Sequence, residues 1–350
     1  MDDFRRILLI RPSALGDVCR SVPVLTSLRA AFPNARIDWL VQDSFAAAIE
    51  HHPALDNTVR FPRRPFAGGL TPPKAAAFFE WAARLGEPGY DLVVDAQGLA
   101  RSGLLAWMTG AACRIGEASA REGAPLLYTR RVPIPAGWHT VDRMLGIACA
   151  GLGIAPVVDM RLHTDEASRA RAADLVGSRD RYVLLAPTSR WASKRWPADR
   201  FAALAQRLLD SAAVSIVVVG GRDERDQCGP VLELAARDKR VVDLVGQTDV
   251  ATLMALVERA ALVVANDSAA LHMGVGFERP CVALFGPTRV DLVGPYRREH
   301  DVIQHLERGD EIDHKRDAGA AIMDRIGVDE VESACVARLV DRSRAAEPRA

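Results

Sequence analysis

The chain has 350 residues, 49% hydrophobic and 26% charged, with 45 Lys and Arg against 45 Asp and Glu. That balance excludes a disordered tail, a strongly basic nucleic-acid binder and a small disulfide-stapled domain. The length instead predicts two domains, each large enough to bury a core of its own. No apolar run approaches the ~18–20 residues of a membrane span. The opening Met1-Asp2-Asp3-Phe4-Arg5-Arg6 leads into too short an apolar run for a signal peptide, so a cytoplasmic protein is expected. Cys19, Cys113, Cys149, Cys228, Cys281 and Cys335 are scattered singly, without a Cys-x-x-Cys pair or zinc spacing, and read as buried or incidental thiols of a reducing compartment.

Short apolar runs alternate with helical patterns, which predicts an α/β fold with parallel sheets covered by helices. The runs are Arg6–Arg11, Arg36–Val41, Thr58–Phe61 and Tyr90–Asp95, then Tyr182–Pro187, Ser215–Gly220, Val241–Val245, Ala261–Asp267 and Cys281–Gly286. The series breaks between about Ile115 and Asp180, where Pro133, Pro135, Gly137, Gly151, Gly153 and Pro156 surround a single helical segment. A linker is therefore expected near 153–163, dividing the chain into domains 1–155 and 156–350. The last helix, near Asp329–Ala345, is free on this reading to pack back on the first domain. The two halves look like the same βαβ architecture used twice, so a ligand is expected between two sheets, outside the carboxyl ends of their strands.

Candidate site residues fall in the turns that follow these strands. The first strand runs into Pro12-Ser13-Ala14-Leu15-Gly16-Asp17, and the following helix is expected to open at Val18. Asp17 then faces the cleft or merely caps the helix, with Ser13 available as another cap. Tyr182–Pro187 ends in Thr188-Ser189, and Lys194 follows just ahead of Pro197, expected as the first helical residue. Hydroxyls, a point charge and a helix dipole suit a diphosphate, although a solvated basic loop with Trp191 and Trp196 packed down would read the same. Asp267-Ser268-Ala269-Ala270-Leu271-His272 follows the next strand and starts a thin helix whose amides can approach phosphate oxygens. Asp267 could equally cap that helix, and His272 could bond within its own domain. Glu224 follows Ser215–Gly220, where an acidic side chain suits ribose hydroxyls or simply faces water.

Together these stretches resemble glycosyltransferase family 9, the bacterial lipopolysaccharide heptosyltransferases, over nearly the whole chain. The motifs that carry the resemblance are Pro-Ser-Ala-Leu-Gly-Asp-Val at 12–18, Ser-Arg-Trp-x-x-Lys-Arg-Trp-Pro at 189–197, Asn-Asp-Ser-x-x-x-His at 266–272 and Leu-Phe-Gly-Pro-Thr at 284–288. Asp95-Ala96-Gln97-Gly98-Leu99 with Arg101-Ser102, Ser119-Ala120-Arg121-Glu122, and His139-x-x-x-Arg143 resemble the heptosyltransferase I branch.

The resemblance implies a GT-B fold of two Rossmann-like domains facing across a central cleft, with acceptor on the amino-terminal and nucleotide sugar on the carboxyl-terminal side. It implies inverting transfer of heptose from ADP-heptose to a Kdo residue of the lipid A core, with no cofactor and no obligatory metal. Asp17 becomes the general base. Lys194, Thr188 and Ser189 become diphosphate ligands and Glu224 the ribose contact, while Asp267 holds heptose hydroxyls and Ser268, Ala269 and His272 address the phosphates. Ala269 and Ala270 stand where family members commonly carry Gly. The alternatives are a relative using another nucleotide sugar or acceptor, or a nucleotide-sugar binding protein without catalysis; the joint presence of Asp17 and Lys194 argues against the latter.

The resemblance also implies an acceptor that carries anionic groups. Ser13, Gln97, Arg63, Arg64, Arg101 and Arg121 are its expected contacts; the arginines fall in basic clusters at 51–75 and 98–131, which would also meet an anionic inner-membrane surface or are ordinary solvated loop charges. No nucleic-acid partner is expected.

Overall fold

The computed structural model describes residues 3–66, 71–315 and 320–346, apart from the side chains of Arg64 and of residues 341–346. Two compact units result, Met1–His163 and Thr164–Ala350. The junction lies beyond the expected 155/156 because residues after the Gly/Pro cluster stay tied to the first unit. Val157 donates its amide to Ser27 Oγ (2.8 Å) and accepts from Thr26 Oγ1 (3.1 Å), and the His163 ring meets His52 edge-on at 4.8 Å.

In the first unit β1 (Arg6–Ile10), β2 (Arg36–Gln42), β3 (Asn57–Phe61), β4 (Leu92–Asp95), β5 (Cys113–Glu117) and β6 (Arg130–Val132) form one parallel sheet in the order β3-β2-β1-β4-β5-β6. In the second, β7 (Tyr182–Ala186), β8 (Ser215–Val218), β9 (Val241–Asp243), β10 (Leu262–Asn266), β11 (Cys281–Leu284) and β12 (Val302–Ile303) form another, ordered β12-β11-β10-β7-β8-β9. Read from its other end, the second sheet repeats the order of the first. Leu8 pairs with Asp38 on one side and Val93 on the other, as Val263 does with Leu184 and Cys281. Both central strands are buried on both faces, which is why they read as unbroken apolar runs.

All nine expected strands form, and three more do that the sequence pattern hid. In β5 a single isoleucine stands between Arg114 and Gly116. The glycine is required: a Cβ there would come 2.2 Å from the Tyr128 ring. β6 is an edge strand with Arg130 and Arg131 exposed, the polar dress such edges carry, and β12 is two residues long. The strand series therefore continues past Ile115 instead of stopping there.

The last helix, Val328–Ala346, buries Val331, Cys335 and Leu339 among Trp196, Phe201, Val264 and Val282. Its core partners are those of the second unit. All six cysteines are free thiols; five are buried, and burial pushes Cys19, Cys281 and Cys335 up to about 12. No helix among the described residues is long and apolar enough to cross a membrane.

Candidate functional site

In a doubly wound sheet the strand order reverses once, and loops leaving the two strands at that point diverge to open a crevice. In the second unit the reversal lies between β7 and β10, so the loops at 187–197 and 267–269 border it. Asn266, at the end of β10, fastens the two together. Its Nδ2 donates to the Pro187 carbonyl (2.7 Å) and its Oδ1 accepts the Trp196 amide (3.1 Å). Trp196 is buried edge-on against Phe201 at 4.9 Å, with its indole N–H on the Ile326 carbonyl (2.9 Å). The helix then begins at Ala198, with Pro197 as its cap rather than its first residue.

Anchored at both ends, the loop turns through Ala192–Lys194 and delivers Lys194 Nζ to Asp267 Oδ2 at 2.5 Å. Their side chains are only 13% and 9% exposed. The structure thus joins two residues given separate roles in the sequence reading, and it rules out a fully solvated basic loop. Ser268 caps the helix Ala269–Gly276 without using its hydroxyl, and Ser268 Oγ is buried with no partner, as is Thr288 Oγ1 just past the end of β11. The amide of Ala269 belongs to the helix's first turn, which leaves such donors without intrahelical acceptors. His272 is buried in that same helix.

Thr188 Oγ1 donates to Glu224 Oε2 (2.7 Å), which also accepts the Gly221 amide (2.8 Å). Glu224 therefore caps the Gly221 amide and orients Thr188 from the neighbouring strand's loop. The Ser189 amide is held by Gln227 (3.2 Å), and its carbonyl accepts from Arg195 Nε (2.8 Å).

Sequence reasoning missed His314. It lies in the polar stretch after β12, where spacing carries no signal. Its carbonyl accepts from Ser193 Oγ (2.7 Å), its ring meets Trp191 at 5.5 Å, and burial together with the charge of Lys194 holds its pKa below the usual value.

The first unit repeats the geometry. Its order reverses between β1 and β4, whose loops meet where the Ser13 amide donates to Gln97 Oε1 (3.3 Å) and Arg11 Nη1 to the Ala96 carbonyl. The helix starts at Leu15, three residues earlier than expected, so Asp17 sits in its first turn. The cap position is Ala14, and Asp17 Oδ2 accepts the Ala14 amide (3.3 Å). Capping and catalysis are therefore not exclusive for this carboxylate. Arg11 Nη2 lies 2.8 Å from Oδ2, and Arg20 holds Oδ1. Both arginine side chains are buried, against about a quarter exposure for Asp17.

Beside this cluster a pocket of about 280 Å³ is lined by Arg11, Gln97, Gly98, Glu117, Ser119, Arg121, Thr140 and Arg143, among others. Buried Asp95 shapes its floor: it accepts the amides of Gln97 (2.8 Å) and Gly98 (3.2 Å) and the hydroxyl of Tyr128 (2.7 Å). Burial raises the Asp95 pKa. Gly98 has φ of +68°, which a side chain would strain. Arg143 pairs with Glu117 (2.5 Å), and the Arg121 amide donates to the Gly98 carbonyl (3.1 Å).

Of the expected acceptor contacts, Gln97 and Arg121 line this pocket and Ser13 bonds to it. Arg63 and Arg101 do not line it: Arg63 reaches Gln42 (3.2 Å), and Arg101 stacks 5.5 Å over the Phe61 ring. The Arg64 side chain lies outside the described residues. Arg11 and Arg143, which sequence reasoning did not assign to the acceptor, line the pocket as well.

A family model described as glycosyltransferase family 9 (heptosyltransferase) matches residues 79–320. The chain belongs to glycosyltransferase family 9. It is 31% identical to lipopolysaccharide heptosyltransferase 1 of Pseudomonas aeruginosa over 305 residues, covering 84% of this chain and 82% of that protein. It is 26% identical to the Escherichia coli protein of the same name, covering 85% and 92%. Among solved structures, Escherichia coli ADP-heptose LPS heptosyltransferase II superposes with a TM-score of 0.80 at 21% identity, covering 97% of this chain and 99% of that one. This family 9 chain is thus a glycosyltransferase with an α/β architecture of the GT-B type, as its motifs implied.

Proposed function

We propose that this glycosyltransferase moves a heptose from ADP-heptose to a Kdo residue of a lipid A core acceptor, with inversion at the anomeric carbon. The observation that carries the reading is the ion pair of Lys194 and Asp267 at the reversal point of the second sheet, beside the unpartnered hydroxyls of Ser268 and Thr288. Paired, buried and flanked by a helix start, Lys194 is poised for a diphosphate. The names of the relatives support the same donor and pathway.

On this reading Thr188, Ser189, Lys194, Ser268, the Ala269 amide and His272 hold the two phosphates, Glu224 holds the ribose, and Asp267 holds heptose hydroxyls. The first unit holds the acceptor. Its pocket presents Arg11, Arg121 and Arg143 to carboxylate and phosphate groups, while Arg63, Arg64 and Arg101 serve the anionic inner-membrane surface. Asp17 accepts the proton of the acceptor hydroxyl as that oxygen bonds to the anomeric carbon and the carbon–oxygen bond to the diphosphate breaks. The Ser13–Gln97 bond and the two arginines fix where the carboxylate stands. ADP leaves with its charge spread over Lys194 and helix amides, which fill the part a divalent cation would otherwise play.

A panel of nucleotide sugars tested for protection against thermal unfolding separates the readings. ADP-heptose at 100 times its dissociation constant adds about 2.7 kcal/mol, and mass spectrometry of a Kdo-lipid A acceptor then shows one added heptose. Protection by a UDP-sugar alone points to another donor. Protection by ADP-heptose with no transfer to any anionic sugar acceptor points to a binding protein.

A further inference from the structure

The stretch after β12 is fastened both to the loop after β11 and to the Lys194 loop, which a solvent-facing connection would not need. Gln304 Nε2 donates to the carbonyls of Gly286 (2.7 Å) and Thr288 (2.9 Å). Gly286 packs so closely on Ser193 that a Cβ there would lie 2.6 Å from the Ser193 carbonyl oxygen. His314 completes the enclosure. Its carbonyl takes the Ser193 hydroxyl and its ring lies against Trp191, so it contacts the loop at two positions just ahead of Lys194.

We propose that His314 is a further residue of the donor site, whose imidazole takes up a proton when the nucleotide-sugar diphosphate arrives and so adds a second cation beside Lys194. The proposal rests on the donor reading above and deepens it. In the free protein Lys194 is matched by Asp267, and Arg190 stacks over the Trp191 ring that His314 meets. The charged groups acting on His314 are Lys194 and Asp267 from the two crevice loops and its own neighbours Asp313 and Lys315. Burial is the largest influence and Lys194 the next, and both favour the neutral ring. A diphosphate dianion placed at Lys194 reverses that balance, because an anion within a few ångströms favours the charged form of a base. Histidine is the side chain whose ordinary pKa lets this happen near neutral pH.

By linkage, a ligand whose binding raises a group's pKa binds more tightly at lower pH, and a pKa higher by about one in the complex corresponds to about tenfold in affinity. The experiment uses the full chain and ADP-heptose without acceptor, since neither phosphate of the sugar diphosphate titrates near neutrality. Calorimetry in two buffers of different ionisation enthalpy counts the protons taken up. Wild type is expected to take up a fraction of a proton and to bind roughly three- to fivefold more tightly at pH 6 than at pH 8, since the full factor is reached only below both pKa values. His314→Gln should lose most of the uptake and bind almost independently of pH, matching wild type at pH 8. His272 remains in both proteins, so the difference isolates His314.

Proton uptake unchanged in His314→Gln, or affinity lost equally at pH 6 and pH 8, overturns the proposal and leaves His314 as a structural prop. Wild type that fails to bind ADP-heptose overturns the donor reading instead. Should the variant fold poorly, an NMR titration of the wild-type His314 ring decides: its pKa rises on ADP-heptose binding, or the proposal is wrong.

Discussion

Lys194 and Asp267 offer a sharp test of whether the crevice in the second unit is built for an anion. At 2.5 Å and an effective dielectric of about 20, two unit charges attract by roughly 7 kcal/mol before desolvation is counted. Desolvation of two side chains exposed only 13% and 9% offsets most of that, so the pair contributes little net stability. Its loss from one side is another matter. Lys194→Met leaves the Asp267 carboxylate buried and uncompensated, which typically costs about 3–5 kcal/mol. Adding Asp267→Leu removes the stranded charge, and the double variant is expected to return to within about 1 kcal/mol of wild type. ADP affinity follows a different course, because a charge-assisted contact worth roughly 1.5–3 kcal/mol is missing from both variants. Urea denaturation and calorimetry with ADP on the three proteins give all the quantities. A single-variant cost below about 0.5 kcal/mol, a double variant no more stable than the single, or ADP bound equally by all three would refute the reasoning.

Three further outcomes are expected. Asp17→Asn should lower turnover by about 10²–10⁴-fold and leave ADP affinity within twofold, since Asp17 belongs to the other unit; steady-state kinetics showing more than a hundredth of wild-type turnover would remove it as the base. Transfer should survive EDTA, because Lys194 and helix amides supply the leaving-group charge, and among the described residues no three of His, Cys, Asp or Glu lie close enough to hold an ion; activity abolished by EDTA and restored by Mg²⁺ or Mn²⁺ contradicts this. Burial, with a smaller contribution from His163, lowers the pKa of His52 to about 4. The unfolded chain then binds more protons between about pH 6.5 and 4, so stability falls as pH drops through that window, by about 3 kcal/mol in all. His52→Gln should lack this component, and equal pH slopes in urea denaturation of the two proteins would show that the His52 ring is not held neutral.

The strands that position both sites were legible because a parallel sheet buries both faces, leaving Leu8-Leu9-Ile10 and Val183-Leu184-Leu185 unmistakable. Strand β5 escaped because its function in the fold is to leave room at Gly116 for Tyr128, not to supply apolar bulk. Spacing placed Asp17 near the strand end but could not show that the helix begins at Leu15, since its first turn is braced by Arg11 from the preceding strand's end. The pairing of Lys194 with Asp267 was hidden for the same reason: 73 positions separate them, and only the order of β7 and β10 brings their loops together. Arg63 and Arg101 were expected beside Gln97 and Arg121, but a charge cluster in sequence need not be a cluster in space. In the structure each is engaged by a neighbour on β2 or β3, and Arg143 from a distant helix stands in the pocket.

That both sheets share one strand order bears on how the chain is made. During synthesis, at about 5–20 residues per second, domains fold as they emerge. In each half the central strand pairs early on one side and must wait on the other: Leu8 for Val93, Val183 for Leu262. While it waits, an apolar strand presents an open row of amides and carbonyls, and a strand of the opposite half, alike in order and direction, could occupy it. Completion of the first sheet before the second begins is what keeps the wrong half out. A ribosome pause between Val132 and Tyr182, when all six strands of the first sheet have been made and none of the second, should therefore cost no yield.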